Sequence, residues 1–263
     1  MNNVIQALWA YRGFILGNVK REFQIKYRNS LLGAAWNIIN PLSMILVYTV
    51  IFSQLMRTRL PGVDSTLAFS IYLCAGVLTW GLFAEITTRA QNTFIENANL
   101  LKKLKFPRLC LPLTVVANAL LNFAIIFSLF TAFLLLSGNF PGWVFLALIP
   151  LLVLLVLFAI GLGIGLGVLN VFFRDVGQFF NVFVTFWFWL TPIVYPIDIV
   201  PAAFRATLAI NPVVPLVGAY HDVLVYGRAP GEGLLWVAVV AGALLVVSWL
   251  MFRRASTEMV DVL

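Results

Sequence analysis

The chain has 263 residues, 62% of them apolar and 10% charged, with a mean hydropathy of +1.00. Such a composition excludes an ordinary soluble domain and assigns most of the chain to lipid. A formal net charge of +7 would suit nucleic acid in a soluble protein. Here the basic residues lie between hydrophobic runs, where they face anionic headgroups, so no nucleic-acid partner is expected.

Residues 1–31 read as a cytoplasmic amphipathic segment lying in the membrane interface rather than as a plain basic tail. Val4, Leu8, Tyr11, Ile15, Val19 and Phe23 recur at intervals of three and four, while Gln6, Lys20 and Gln24 fall elsewhere on the wheel. Charges interrupt the apolar residues and no small-x-small site follows, which argues against a signal peptide. Residues 32–263 then hold six apolar runs, at 32–56, 68–88, 110–136, 143–170, 177–196 and 232–252. With the N-terminus inside, 13 of the 17 Lys and Arg residues fall on the cytoplasmic side; Arg57, Arg59, Arg205 and Arg228 alone fall outside. Both termini are therefore expected in the cytoplasm. Cys74 and Cys110 fall at opposite faces, which excludes a disulfide between them.

Asn37, Asn40 and Pro41 in the first run predict a kinked helix whose polar face meets protein or water. Glu85 stands four residues before Arg89 at the inner end of the second, the favourable order for a helical ion pair and not a proton site. Between runs two and three comes "NANLLKKLKFPR", residues 97–108. Asn97 or Asn99 can cap a short helix over about 97–106, Leu100, Leu101 and Leu104 give it an apolar side, and Pro107 closes it. An element of that design inserts into a groove on a partner; attraction of its basic residues to lipid is the competing account.

In run four, Gly161 and Gly165, and Gly163 and Gly167, stand four apart and form two small-residue ridges for close helix packing or a hinge. Run five carries Phe179, Phe180, Phe183, Phe186, Trp187, Phe188, Trp189 and Tyr195. Trp187 falls roughly 16 Å in from Val176, near mid-membrane, where an interfacial aromatic belt gives no reason for it. Two readings compete: packing against neighbouring helices, or an aromatic lining along which sugar faces slide. Gln178, Asn181 and Thr185 on the same helix favour a watery face. The stretch at about 197–228 is too broken to cross, and predicts short outer helices at 201–210 and 215–226. His221 beside Asp222 reads as a surface pair. No lysine is followed by Ser or Thr, so a phosphate loop is excluded, and no carboxylate pair, nucleophile set or metal cluster lies within a run.

"REFQIKYRNSLLGAAWNIINPLSMILVYTVIFSQL", "NANLLKKLKFPR", "FFRDV" and "LTPIVYP", in this order and spacing, resemble the membrane subunits of ABC-2-type polysaccharide exporters for O-antigen and capsule. The resemblance covers nearly the whole chain. It implies an all-α integral membrane protein of six transmembrane helices with an N-terminal interfacial helix and two short outer gate helices between spans five and six. It also implies a non-catalytic, multi-pass permease of the bacterial inner membrane. Such a permease pairs with a second copy of itself and with two copies of a cytoplasmic ABC ATPase, among membrane lipids, to move a lipid-linked polysaccharide. The chain itself would hold no cofactor, ATP and Mg belonging to the ATPase. Asn97, Asn99, Leu100, Leu101, Lys102, Lys103, Leu104 and Lys105 would couple to that ATPase. Gln178, Phe179, Asn181, Phe183, Thr185, Phe186, Trp187 and Tyr195 are the candidate channel lining. Export of a small hydrophobic compound or lipid stays open beside this reading, as does an ATP-independent channel.

Overall fold

The computed structural model describes residues 11–27, 35–55, 60, 65–103, 106–256 and 258–263. Regular structure among them is entirely helical: α1 Arg12–Tyr27, α2 Trp36–Tyr48, α3 Ala68–Glu96, α4 Ala98–Lys103, α5 Cys110–Leu136, α6 Leu148–Phe172, α7 Asp175–Trp189, α8 Ala202–Leu208, α9 Val213–Leu224, α10 Leu234–Ala255 and α11 Glu258–Val262. A 3-10 turn, Gly142–Ala147, leads into α6.

Four of these elements are long and apolar enough to cross a membrane: α3, α5, α6 with its leading turn, and α10. The pair α8 and α9 passes the same test only as a span bent by 104°. Of the six expected spans, the first and fifth runs form shorter helices among the described residues. The first run is α2 followed by a π-helical segment, Thr49–Leu55; the helix passes through Pro41 and leaves α geometry eight residues later. The fifth stops at Trp189, seven residues before Pro196, and 15 residues reach only about 22 Å, short of a core about 30 Å thick.

Non-helical backbone at such depth needs partners from the protein. Here it has them. The Tyr72 hydroxyl donates to the carbonyls of Pro192 at 3.2 Å and Tyr195 at 2.9 Å. The Asn211 amide donates to the hydroxyl of Thr191 at 3.0 Å and reaches the Leu190 carbonyl at 3.5 Å. The two short helices expected at 201–210 and 215–226 run 202–208 and 213–224, within three residues of their expected bounds.

Helix α3 is the axis of the bundle: 78% of its most apolar window is buried, against 17% for α10, which lies on the rim. The glycine ridges of α6 explain how α3 and α10 both press onto it. A Cβ at Gly163 would lie 2.6 Å from the Cβ of Ala90, and one at Gly167 2.9 Å from the Ala90 carbonyl oxygen. On the other ridge, a Cβ at Gly161 would meet the Leu245 amide at 3.1 Å, and one at Gly165 the Ser248 hydroxyl at 2.8 Å. One ridge therefore receives α3 and the other α10. A large apolar core fills the bundle, and a second cluster, with Phe94, Leu101, Leu111, Val168, Phe252 and Met259, closes the end that carries α4.

Cys74 and Cys110 are free and buried. His221 corrects the expectation of a surface pair. It is 4% exposed, stacks on Tyr72 with centroids 3.6 Å apart, and leaves Asp222 to bind Arg228 instead.

Candidate functional site

Two surfaces deserve the name of site, one at the α4 end and one along α7. Asn97 closes α3, and its backbone carbonyl receives the amides of Leu100 and Leu101, both at 3.0 Å, which turns the chain into α4. The Asn97 side chain donates back to the Thr93 carbonyl at 2.8 Å, so it fastens the end of α3 rather than capping α4 as its position in the sequence suggests. Asn99 is exposed. Leu101 turns inward, 7% exposed in the second cluster, and Leu100 packs against the same cluster. The apolar side of α4 thus meets this chain's own core, while Lys102 and Lys103 face outward. Leu104 and Lys105 lie outside the described residues. Tyr11, Leu101, Lys102, Lys103, Phe106 and Arg108 border a cleft of about 480 Å³. Phe14 of α1 meets Phe106 with ring centroids 5.1 Å apart, so the N-terminal helix braces the segment that follows α4.

Deeper in, α1 is tied to the bundle by charge. Glu22 pairs with Arg89 of α3 and accepts from the amide of Asn118 on α5. Arg89 also bonds Glu85 at 3.3 Å, as the i,i+4 spacing predicts, and Glu85 accepts from Asn122 at 3.2 Å. Sequence reasoning found Glu85 and Arg89 but missed Glu22, Asn118 and Asn122. The available signal was two asparagines four apart in an otherwise apolar run, since polar groups there need partners.

Helix α7 is set at its foot by a knot of amides. Asn170 donates to the Gln91 carbonyl and to the Asn92 side chain, both at 3.1 Å, and accepts from the Gly177 amide at 3.0 Å. A Cβ at Gly177 would stand 2.7 Å from Asn170 Oδ1, so only glycine lets α6 and α7 approach this closely. Gln91, fully buried, donates to Asn181 at 3.0 Å.

From that foot, α7 shows two faces. Phe180 is buried; Trp187 is half-buried, with its ring centroid 5.2 Å from Phe83 and its Nε1–H donating to Asn211 at 2.9 Å. The opposite face is open. Gln178, Phe179, Asn181, Phe183, Thr185 and Phe186 are all exposed in the single chain, with Phe179 at 71% and Phe186 at 65%. Tyr195 is half-buried beyond the helix and donates to the Trp189 carbonyl at 2.8 Å. The candidate lining residues thus divide: Gln178, Phe179, Thr185 and Phe186 lie open, Phe183 stands at the edge with its ring 5.1 Å from Trp187, Asn181 is tied to Gln91, and Trp187 is turned toward neighbouring helices. Among the described residues no group of three or more His, Cys, Asp or Glu is placed to hold a metal ion.

Residues 15–225 match the ABC-2 type transporter family. The chain belongs to that family. The permease is 31% identical over 99% of both chains to a protein of Myxococcus xanthus named O-antigen export system permease protein RfbA. To a Klebsiella pneumoniae protein of the same name it is 29% identical over 92% of each chain. A more distant relative is the polysialic acid transport protein KpsM of Escherichia coli, 22% identical over 91% of this chain and 92% of that one. The alignment to the Myxococcus xanthus protein covers 99% of the chain and so includes both surfaces.

Proposed function

We propose that this permease is the membrane subunit of an ATP-driven exporter that carries a lipid-linked, O-antigen-like polysaccharide across the bacterial inner membrane. The similarity to the Myxococcus xanthus export permease over 99% of both chains carries the reading. Two copies of the permease join two copies of a separate cytoplasmic ATPase, which brings the ATP and the magnesium. Both termini lie in the cytoplasm, in keeping with the distribution of Lys and Arg.

The α4 end receives the ATPase. Because the leucines of α4 are held in the permease's own core, Lys102, Lys103 and the cleft beside them are the groups offered to the partner. Motion enters through α4, which continues directly from α3, and α3 bears on α6 through the Gly163 and Gly167 ridge. The open face of α7 lines the path. Its rings contact the apolar faces of sugars, while Gln178, Asn181 and Thr185 keep water for the hydroxyls. Helices α8 and α9 close the outer end as a gate.

The test is deletion of the gene followed by complementation. The expected result is loss of surface polysaccharide with accumulation of the lipid-linked chain inside the cell, both reversed by the wild-type gene. Unchanged surface polysaccharide, together with retention of hydrophobic dyes by the deletion strain, would replace this reading by export of a small hydrophobic compound.

A further inference from the structure

At the end of the bundle opposite α4, a cavity of about 190 Å³ opens between α3, the turn after Pro192 and α9, with Tyr72, Asp198, His221, Asp222, Tyr226 and Arg228 on its walls. The walls are a sorted set of hydrogen-bonding groups. Asp222 is committed: its Oδ1 accepts from Arg228 at 2.9 and 2.6 Å and its Oδ2 from the Gly231 amide at 3.1 Å. Gly227, at φ +58°, makes the turn that brings Arg228 back onto it. Arg228 also lies over the Tyr226 ring, 4.8 Å from its centroid.

Asp198, by contrast, has a carboxylate without a hydrogen-bond or ion-pair partner among the described residues. His221 Nε2 stands 3.0 Å from the Tyr72 carbonyl, an acceptor, so Nε2 carries the proton and Nδ1 is left as a bare acceptor. Burial first and the Asp198 carboxylate second push the Tyr226 hydroxyl above the ordinary tyrosine range, so it stays a donor at neutral pH. The cavity thus offers two kinds of acceptor and a neutral donor, with its one cation already paired.

This pattern selects among ligands. A phosphate would face the open carboxylate of Asp198, with Arg228 paired to Asp222 and Arg205 bound to the carbonyls of Asp198 and Val200. A divalent cation would find one uncommitted carboxylate, and among the described residues no metal-binding group forms. A hydroxyl-rich ring supplies donors to Asp198 and His221 and an acceptor to Tyr226, and its apolar face meets Pro192, Pro196, Ile197 and Val214 on the same walls. We infer that this cavity is a subsite for one uncharged sugar ring of the exported chain, held at the outer end of the permease. The inference rests on the export reading and adds to it a fixed point of contact, outside the α7 face.

The test uses purified permease in lipid nanodiscs. The probe is an oligosaccharide freed by mild acid from the surface polysaccharide of the cells that carry this gene, followed by saturation-transfer NMR. Two variants report. Asp198→Asn removes the charge from an exposed side chain. Gly218→Leu fills the cavity from a position where a Cβ meets nothing within 4 Å, on a helix that gains from losing a glycine. The wild type should show transfer to ring protons, with an affinity about tenfold or more weaker in Asp198→Asn and no detectable binding in Gly218→Leu. Calcium chloride alone and inorganic pyrophosphate alone should not displace the probe. Wild-type complementation of a deletion strain runs beside it. If the wild type restores surface polysaccharide but shows no transfer, or both variants bind as it does, or either ion displaces the probe, the subsite is overturned and export stands. If the wild type restores nothing, the export reading falls and the subsite with it.

Discussion

Gly163→Ala adds one methyl group to the seam between α3 and α6. In the structure a Cβ there lies 2.6 Å from the Cβ of Ala90 and 3.4 Å from the Cα of Thr87. Carbon atoms in contact settle about 3.5 to 4.0 Å apart, so α3 and α6 must separate by roughly 1 Å. Neither neighbouring atom is the far end of a flexible side chain, and the strain cannot be absorbed by a rotamer change. Overpacking of this kind costs about 1 to 3 kcal/mol, and the helix preference of Ala over Gly returns roughly 1 kcal/mol. A net loss of up to about 2 kcal/mol follows, and a gap of about 1 to 3 kcal/mol opens to a glycine with free space around it. Gly242→Ala on α10 is the control, since a Cβ there meets nothing within 4 Å. The double variant Ala90→Gly, Gly163→Ala moves the methyl across the seam and should recover most of the loss. Thermal unfolding of the purified permease in one detergent and lipid mixture, followed by tryptophan fluorescence, reads all four proteins. If Gly163→Ala melts with Gly242→Ala, or the double variant is no better than Gly163→Ala alone, the ridge is not a tight contact and the reasoning fails.

Leu101→Ser should lower thermal stability by about 2 to 5 kcal/mol because the side chain is buried in the permease's own cluster. Lys102→Gln with Lys103→Gln should leave the melting curve unchanged and weaken capture of the ATPase in detergent; the reverse pattern would mean that α4 docks through its leucines. Phe179→Ala and Phe186→Ala should cut export with normal accumulation in the membrane. Trp187→Phe should instead cost about 1 kcal/mol of stability through the lost bond to Asn211, and equal behaviour of all three in the melting assay would refute the division of α7 into two faces. A double-mutant cycle of Glu22→Gln and Arg89→Met should show coupling of about 1 to 3 kcal/mol; additive losses would mean that α1 is held by its apolar contacts alone.

The sequence by itself determined that this chain is an all-α membrane protein of the ABC-2 kind. Hydrophobic runs about 20 residues long, and the glycines spaced by four in "GLGIGLGV", carry their meaning locally, since a span needs length and close packing needs small residues at helical spacing. The two short helices α8 and α9 were legible for the same reason, with Pro and Gly marking their ends. Tertiary structure alone decided the rest. Residues 190–196 read as the end of a span, because nothing local shows that Tyr72, 120 residues before Pro192, and Asn211, 21 residues after Leu190, would bond this segment and release it from the helix. The leucines of α4 read as an outward docking face, because an apolar side in the sequence does not say which surface will cover it; Phe94, Val168 and Phe252 do so. His221 read as a surface group until stacking on Tyr72 placed it, and Glu22 carried no sign of its partner until pairing with Arg89 placed it. The physical reason is common to all four. Burial and pairing are properties of two segments at once, and a sequence presents its segments one at a time.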